Sequence, residues 1–133
     1  MRHRPTHARR GAAAVELALV SPLLAFLFAV TVDFARAFNV SQTVENCARN
    51  GAVYAADPKA AANNLYSNVS AAALASAGNL SPSPTVTSST GTDANGNACV
   101  TVTVSYPFIT FLNFMGSSST TITRSVQARK AIQ

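Results

Sequence analysis

The sequence predicts an α+β chain in which a long N-terminal transmembrane helix, extended into an amphipathic helix, and a second short helix precede a small antiparallel three-stranded sheet. Three patterns carry that prediction. Residues 12–32 are apolar apart from Glu16, Ser21, Pro22 and Thr31. Residues 33–56 follow a 3.6-residue period, and in residues 99–108 Val100, Val102, Val104, Tyr106 and Phe108 alternate with Thr101, Thr103 and Ser105.

Length and charge bound the reading. The chain has 133 residues, room for one domain, and a membrane span leaves a small core. Its net charge of +5 is concentrated at one end, because Arg2, Arg4, Arg9 and Arg10 account for four of the ten Lys and Arg residues. The remaining six nearly balance the five acidic residues. A basic patch with interleaved aromatics, which nucleic-acid binding needs, is therefore missing from the rest of the sequence. A basic tail before an apolar run instead places the N-terminus in the cytoplasm by the positive-inside rule.

At about 1.5 Å per residue the apolar run spans roughly 31 Å, the thickness of a hydrocarbon core. Pro22 cannot donate to the Ala18 carbonyl, so a helix kink is expected there. Ala14, Ala18, Ser21, Ala25 and Ala29 line a face of small side chains suited to close helix contact. Glu16 is the anomaly, since a charge inside hydrocarbon costs about 2.5 to 3.5 kcal/mol on insertion-based scales.

Three N-terminal arrangements are compatible with this pattern. A cleaved secretory signal would use Ala35, Arg36 and Ala37 as its small-x-small site. An uncleaved signal anchor would let Glu16 snorkel to the interface or pair with Arg9 or Arg10. A prepilin-type leader, residues 1–11, would be cut between Gly11 and Ala12 and leave the apolar segment in place. The third accounts for the most residues together: the basic leader, Gly11, and an acid one helical turn beyond the new terminus.

The run from Gly11 through Glu16, Leu17, Pro22 and Leu24, continued by Asp33, Phe34, Ala35 and Arg36 and by Ala48, Arg49, Asn50, Gly51 and Ala52, resembles the TadE-like pseudopilins of tight-adherence (Flp-type) pili. The resemblance covers residues 9–57 well and the C-terminal half only in general pattern. It implies a pilin-like fold, cleavage after Gly11 by a prepilin peptidase, and Glu16 as the fifth residue of the mature chain. Major Flp pilins usually carry an aromatic after that glutamate, whereas Leu17 stands here, and this chain is longer. A minor component is therefore implied, with the prepilin peptidase, other pilin-like subunits and the inner-membrane pilus platform as partners. The implied location is the inner membrane, single pass, with residues 33–133 outside the cytoplasm.

Electrostatics agrees with that implication. Cleavage would create a cationic amine at Ala12, and Glu16 lies about 6 Å further along the helix. Staggering a second subunit by that distance would pair its glutamate with the first subunit's terminus, making Glu16 an assembly register.

Beyond the span, Phe34, Ala37, Phe38, Ser41, Val44, Ala48, Gly51, Ala52 and Ala55 form the predicted packing face, opposite Asn39, Gln42, Glu45, Asn46, Arg49 and Asn50. Asp33 with Arg36, and Glu45 with Arg49, have the spacing of solvated helical pairs. Asp57 and Pro58 open a second helix predicted to run through Leu65, Val69 and Ala72 towards Gly78. Residues 80–84 read as a linker, 85–89 as an edge strand and 91–97 as a turn. In the central strand Val100, Val102, Val104, Tyr106 and Phe108 share a face. Residues 120–130 form a third strand with Ile122, Val126 and Ala128 inward and Arg124 interrupting. A helical hairpin with a disordered Ser/Thr-rich tail is the alternative fold. Residues 109–115 are apolar and expected to fill the core, with a partner-binding or membrane-facing patch as the other use.

Cys47 and Cys99 lie in a compartment where disulfides persist, and a bridge would tie helix to sheet, worth about 4 kcal/mol in the chain-entropy model. Strand parity argues against it by placing Cys99 on the threonine face, leaving two buried thiols as the alternative. Catalysis is not expected. The only histidines, His3 and His7, lie in the leader, so the mature chain has no Ser-His or Cys-His pair, and no glycine-rich phosphate loop, metal set or cofactor motif is present. Asn39, Asn68 and Asn79 sit in glycosylation-like triplets of the kind chance produces in an Asn- and Ser-rich chain. The functional alternative is an uncleaved membrane-anchored envelope interaction or adhesion domain without a small-molecule substrate.

Overall fold

The computed structural model describes residues 7–63, 65–78, 80–110 and 119–131. Helix α1 runs from His7 to Ala56 as one element of 50 residues, with Pro22 inside it. Two short helices follow, α2 (Pro58–Ala62) and α3 (Val69–Leu74), and then strands β1 (Thr85–Thr92), β2 (Ala98–Phe108) and β3 (Thr120–Arg129). The strands form an antiparallel sheet in the order β1, β2, β3. The α+β architecture expected from the sequence is therefore present.

The second helix differs from expectation by being split in two. Asn68, in extended conformation, caps α3 by accepting the Ala71 amide at 2.8 Å. Asn63 and Asn68 bracket the break, and asparagine favours such local bonds over a helix interior. Gly51 of α1 explains how α3 comes so close. A Cβ there would lie 3.0 Å from Ala73 Cβ and 3.1 Å from Val102 Cγ1, so helix and sheet meet at a residue with no side chain.

The core lies between the C-terminal half of α1 and the inner face of β2. Val44, Cys47, Ala48 and Ala52 of α1 pack with Val100, Val102, Val104, Tyr106 and Phe108. Val102 and Val104 are completely buried, as period-2 alternation requires for the central strand. Ile122, Val126 and Ala128 of β3 pack against the same cluster, as expected. The residue 80–84 linker is held to the sheet, with Pro84 buried and the Tyr106 hydroxyl donating to the Ser81 carbonyl at 3.1 Å.

The β1–β2 connection is shorter than predicted, since β1 continues to Thr92 and only residues 93–97 turn. Asp93 organises it. Its carboxylate accepts the Asn95 and Asn97 amides at 2.9 and 2.8 Å and pairs with Arg129 of β3 at 2.9 Å. Gly96, at φ 79°, takes the left-handed position that side chains disfavour. The Asn97 backbone amide, first among several donors, holds the Asp93 carboxyl at about 2, below the usual carboxylate range.

The disulfide expectation is corrected. Cys47 and Cys99 are both buried free thiols. Cys47 belongs to the core between α1 and the sheet, whereas Cys99 shares the outer face with Thr101 and Thr103 and receives the Gln127 amide at 2.9 Å. The sheet itself separates the two sulfurs. Parity holds even at the strand's second residue, because its ladder partners Gly91 and Arg129 fix it on both sides.

Candidate functional site

The described residues contain one helix long and apolar enough to cross a membrane, lying within Gly11–Ala56, and its apolar window is entirely unburied. Gly11, Ala12 and Glu16 are exposed on it. Gly11 sits in the second helical turn, and a Cβ added there would meet nothing within 4 Å. Glycine at this point lowers the cost of unwinding by about 1 kcal/mol relative to alanine. Between Ala12 and Glu16 lies about one helical turn, so the two share a face as the spacing requires.

At Pro22 the helix continues without interruption. The Ala18 carbonyl, which loses its amide donor to the proline, is approached by the Ser21 hydroxyl at 3.5 Å, a long hydrogen bond. Thr31 similarly donates to the Leu27 carbonyl at 2.8 Å. Hydroxyls placed one turn along thus supply local donors within an otherwise apolar stretch.

The head begins immediately after the apolar run. Asp33 is 9% exposed, and Arg36 pairs with it at 3.1 Å while lying over the Phe108 ring, 5.5 Å from its centroid. This corrects the expectation of a solvated Asp33 pair, whereas Arg49 is exposed and its partner Glu45, at 3.4 Å, is half-exposed, a solvated pair as anticipated. Ile109 is 64% exposed and so does not fill the core; residues 111–115 lie outside the described residues.

The packing face of α1 is also rotated from its predicted position. Ala37, Val40, Val44 and Cys47 turn towards the sheet, leaving Phe34 and Phe38 at 75% and 61% exposure. These two rings wall an open groove of ≈ 500 Å³ between α1 and β3, completed by Ala37, Ser41, Ile122 and Arg124. Arg124 falls on the inner face of β3, where the edge position lets its guanidinium donate to the Ser41 hydroxyl at 2.6 Å. Among the described residues it forms no ion pair. The sequence flagged Arg124 only as an interruption, and it assigned the two phenylalanines to the core. Val44 belongs to both faces, and the signal that would have set the rotation is its continuation through Val40 and Cys47.

Among the described residues no group of three or more His, Cys, Asp or Glu is placed to hold a metal ion. What the helix and groove offer is surface: an exposed apolar span with a single acid, and beyond it an aromatic groove with a cation. Burial raises the Cys47 thiol above its usual range, which keeps it protonated and unreactive.

Residues 11–53 match the family model described as TadE-like protein. The matched segment contains Gly11, Glu16, the apolar span and the amphipathic extension through the Glu45 turn. No curated protein and no solved structure matches the chain.

Proposed function

We propose that this chain is a minor pilin-like membrane protein that acts in assembly of a tight-adherence pilus or a related secretion apparatus. In this reading a prepilin peptidase cuts between Gly11 and Ala12, residues 12–32 cross the inner membrane once with the N-terminus cytoplasmic, and the head lies outside the cytoplasm. Other pilin-like subunits and the inner-membrane platform are its partners. Its role is assembly and not catalysis.

The observation that carries the reading is the TadE-like match coinciding with an exposed helix that places Glu16 one turn beyond Ala12. Cleavage would set an ammonium and a carboxylate within reach on one apolar face, where neither is well solvated. Pairing the two, in one chain or between neighbours, offsets the cost of both.

N-terminal sequencing of protein purified from its native membrane tests the proposal. A start at Ala12, with co-purification of pilus assembly components, is the expected result. A start at Met1 would instead support an uncleaved envelope anchor, and a start at Phe38 a secreted protein.

A further inference from the structure

Three pairs of residues on α1 share one spacing. Glu16 follows Ala12 by four residues, Phe38 follows Phe34 by four, and Glu45 follows Ser41, the residue that holds Arg124, by four. At 3.6 residues per turn, Phe34, Phe38 and Glu45 fall within about 40° of azimuth, and Glu16 precedes Phe34 by roughly five whole turns. They therefore share one side of the helix, beside the groove against β3, and Glu45 does not lie opposite the two phenylalanines as first expected.

We propose that this groove is the seat of a second copy of the same chain, displaced by four residues along the helix. The inference rests on the reading that the Ala12 amine of one copy meets Glu16 of the next. That displacement, about 6 Å, brings Phe38 of the second copy level with Phe34 of the first. It also brings the second copy's Glu45 level with Ser41 and hence with Arg124. With the second copy turned about its helix axis so that its shared side faces that of the first, this one displacement satisfies three contacts: amine to carboxylate at the cytoplasmic end, ring to ring above the span, and carboxylate to guanidinium at the groove.

Charge complementarity selects this occupant over an unrelated helix. Arg124 forms no ion pair among the described residues of its own chain, and Glu45 holds only a 3.4 Å contact with exposed Arg49. Glu45 can bind Arg124 of its neighbour with its second oxygen while keeping Arg49. The exposed phenylalanines have the same logic, because no packing among the described residues buries these two large apolar rings beyond the apolar run. A groove bordered by an edge strand accepts a helix without disturbing the sheet.

Cross-linking of full-length protein in native membranes tests this. Two differently tagged chains, one F34C and one F38C, are co-expressed and treated with a short bifunctional maleimide; native Cys47 and Cys99 are buried and do not compete. Mixed F34C–F38C dimers are expected to exceed the F34C–F34C and F38C–F38C products. In that background E45R or R124E alone should lower the mixed product, and the E45R/R124E exchange should restore it. Predominance of same-position dimers, absence of dimers, or cross-links only to other proteins would overturn the inference, as would failure of the exchange to restore. A chain that starts at Ala12 and co-purifies with pilus components yet yields no dimer would leave the proposed function standing and remove only the second copy from the groove.

Discussion

Arg36 lies over the ring of Phe108, 5.5 Å from its centroid, while its guanidinium holds Asp33 at 3.1 Å. One side chain thereby joins the first turn after the apolar run to the last residue of the central strand, and the head has no stalk between itself and the span. Arg36→Ala should destabilise the head by about 1–2 kcal/mol, combining a half-exposed cation–π contact with loss of the cation beside a mostly buried carboxylate. Arg36→Lys should recover part of this. Thermal unfolding of purified full-length protein in detergent measures both, and an unchanged midpoint in the alanine variant would exclude the coupling.

Gly51 is expected to be intolerant of any branched side chain. A Cβ at this position would stand only 3.0 Å from Ala73 Cβ and 3.1 Å from Val102 Cγ1, so Gly51→Val should cost about 1–3 kcal/mol through overpacking. Val102→Ala, at a site with no exposure, should cost about 2–3 kcal/mol by the opposite route of a cavity. Combining Gly51→Ala with Val102→Ala should recover stability relative to Val102→Ala alone, because the added methyl enters the space vacated. Denaturant unfolding of the three variants measures these differences.

Acid should loosen the β1–β2 turn late. The Asp93 carboxyl is held at about 2, so its contribution is fully present above the ordinary aspartate range near 4 and is lost as pH falls through about 2. Asp93→Asn should abolish that part of the pH dependence and weaken protection of the Asn95 and Asn97 amides. Amide hydrogen exchange across pH 2 to 5 reads this out, and identical profiles for the two proteins would refute it.

Both cysteines should be recovered as thiols under non-reducing conditions. Alkylation of the folded protein should be slow at both positions and complete after denaturation, since both are buried. An intact mass lacking two hydrogens would show a bridge and would require the sheet to open between Cys47 and Cys99.

The proposed leader makes a separate prediction. A methyl at position 11 meets no neighbour, so Gly11→Ala should leave folding and membrane insertion intact while blocking processing. A mature-sized band from that variant would count against cleavage at this bond. Glu16→Ala should be inserted and processed but fail to enter the pilus machinery, and normal piliation would remove its role as register.

Periodicity made much of the fold legible. The alternation of residues 99–108 specified which side chains of β2 face inward, and the structure buries Val100, Val102, Val104, Tyr106 and Phe108 accordingly. The three-strand meander and the inward residues of β3 followed the same rule. The rule was weaker on α1, where alanine-rich turns offer several apolar stripes of similar strength. Phe34 and Phe38 look like core residues by composition, yet the sheet docks about a third of a turn away, against Val40 and Val44. The second helix departs from its expected length for a different reason, because its asparagines cap and break helices through bonds that no hydrophobic period records.

The sequence alone therefore determined the apolar span, Gly11 and Glu16 near its start, and the face each strand turns inward, since these depend on local spacing along a helix or strand. Only the tertiary structure decided that Cys47 turns into the core, that Asp33 is buried beside Arg36, and that Phe34, Phe38 and Arg124 border one groove. Those facts depend on the rotation of α1 against β3, which is chosen by close approach at Gly51 and the fit of Val102, contacts between residues far apart in the chain.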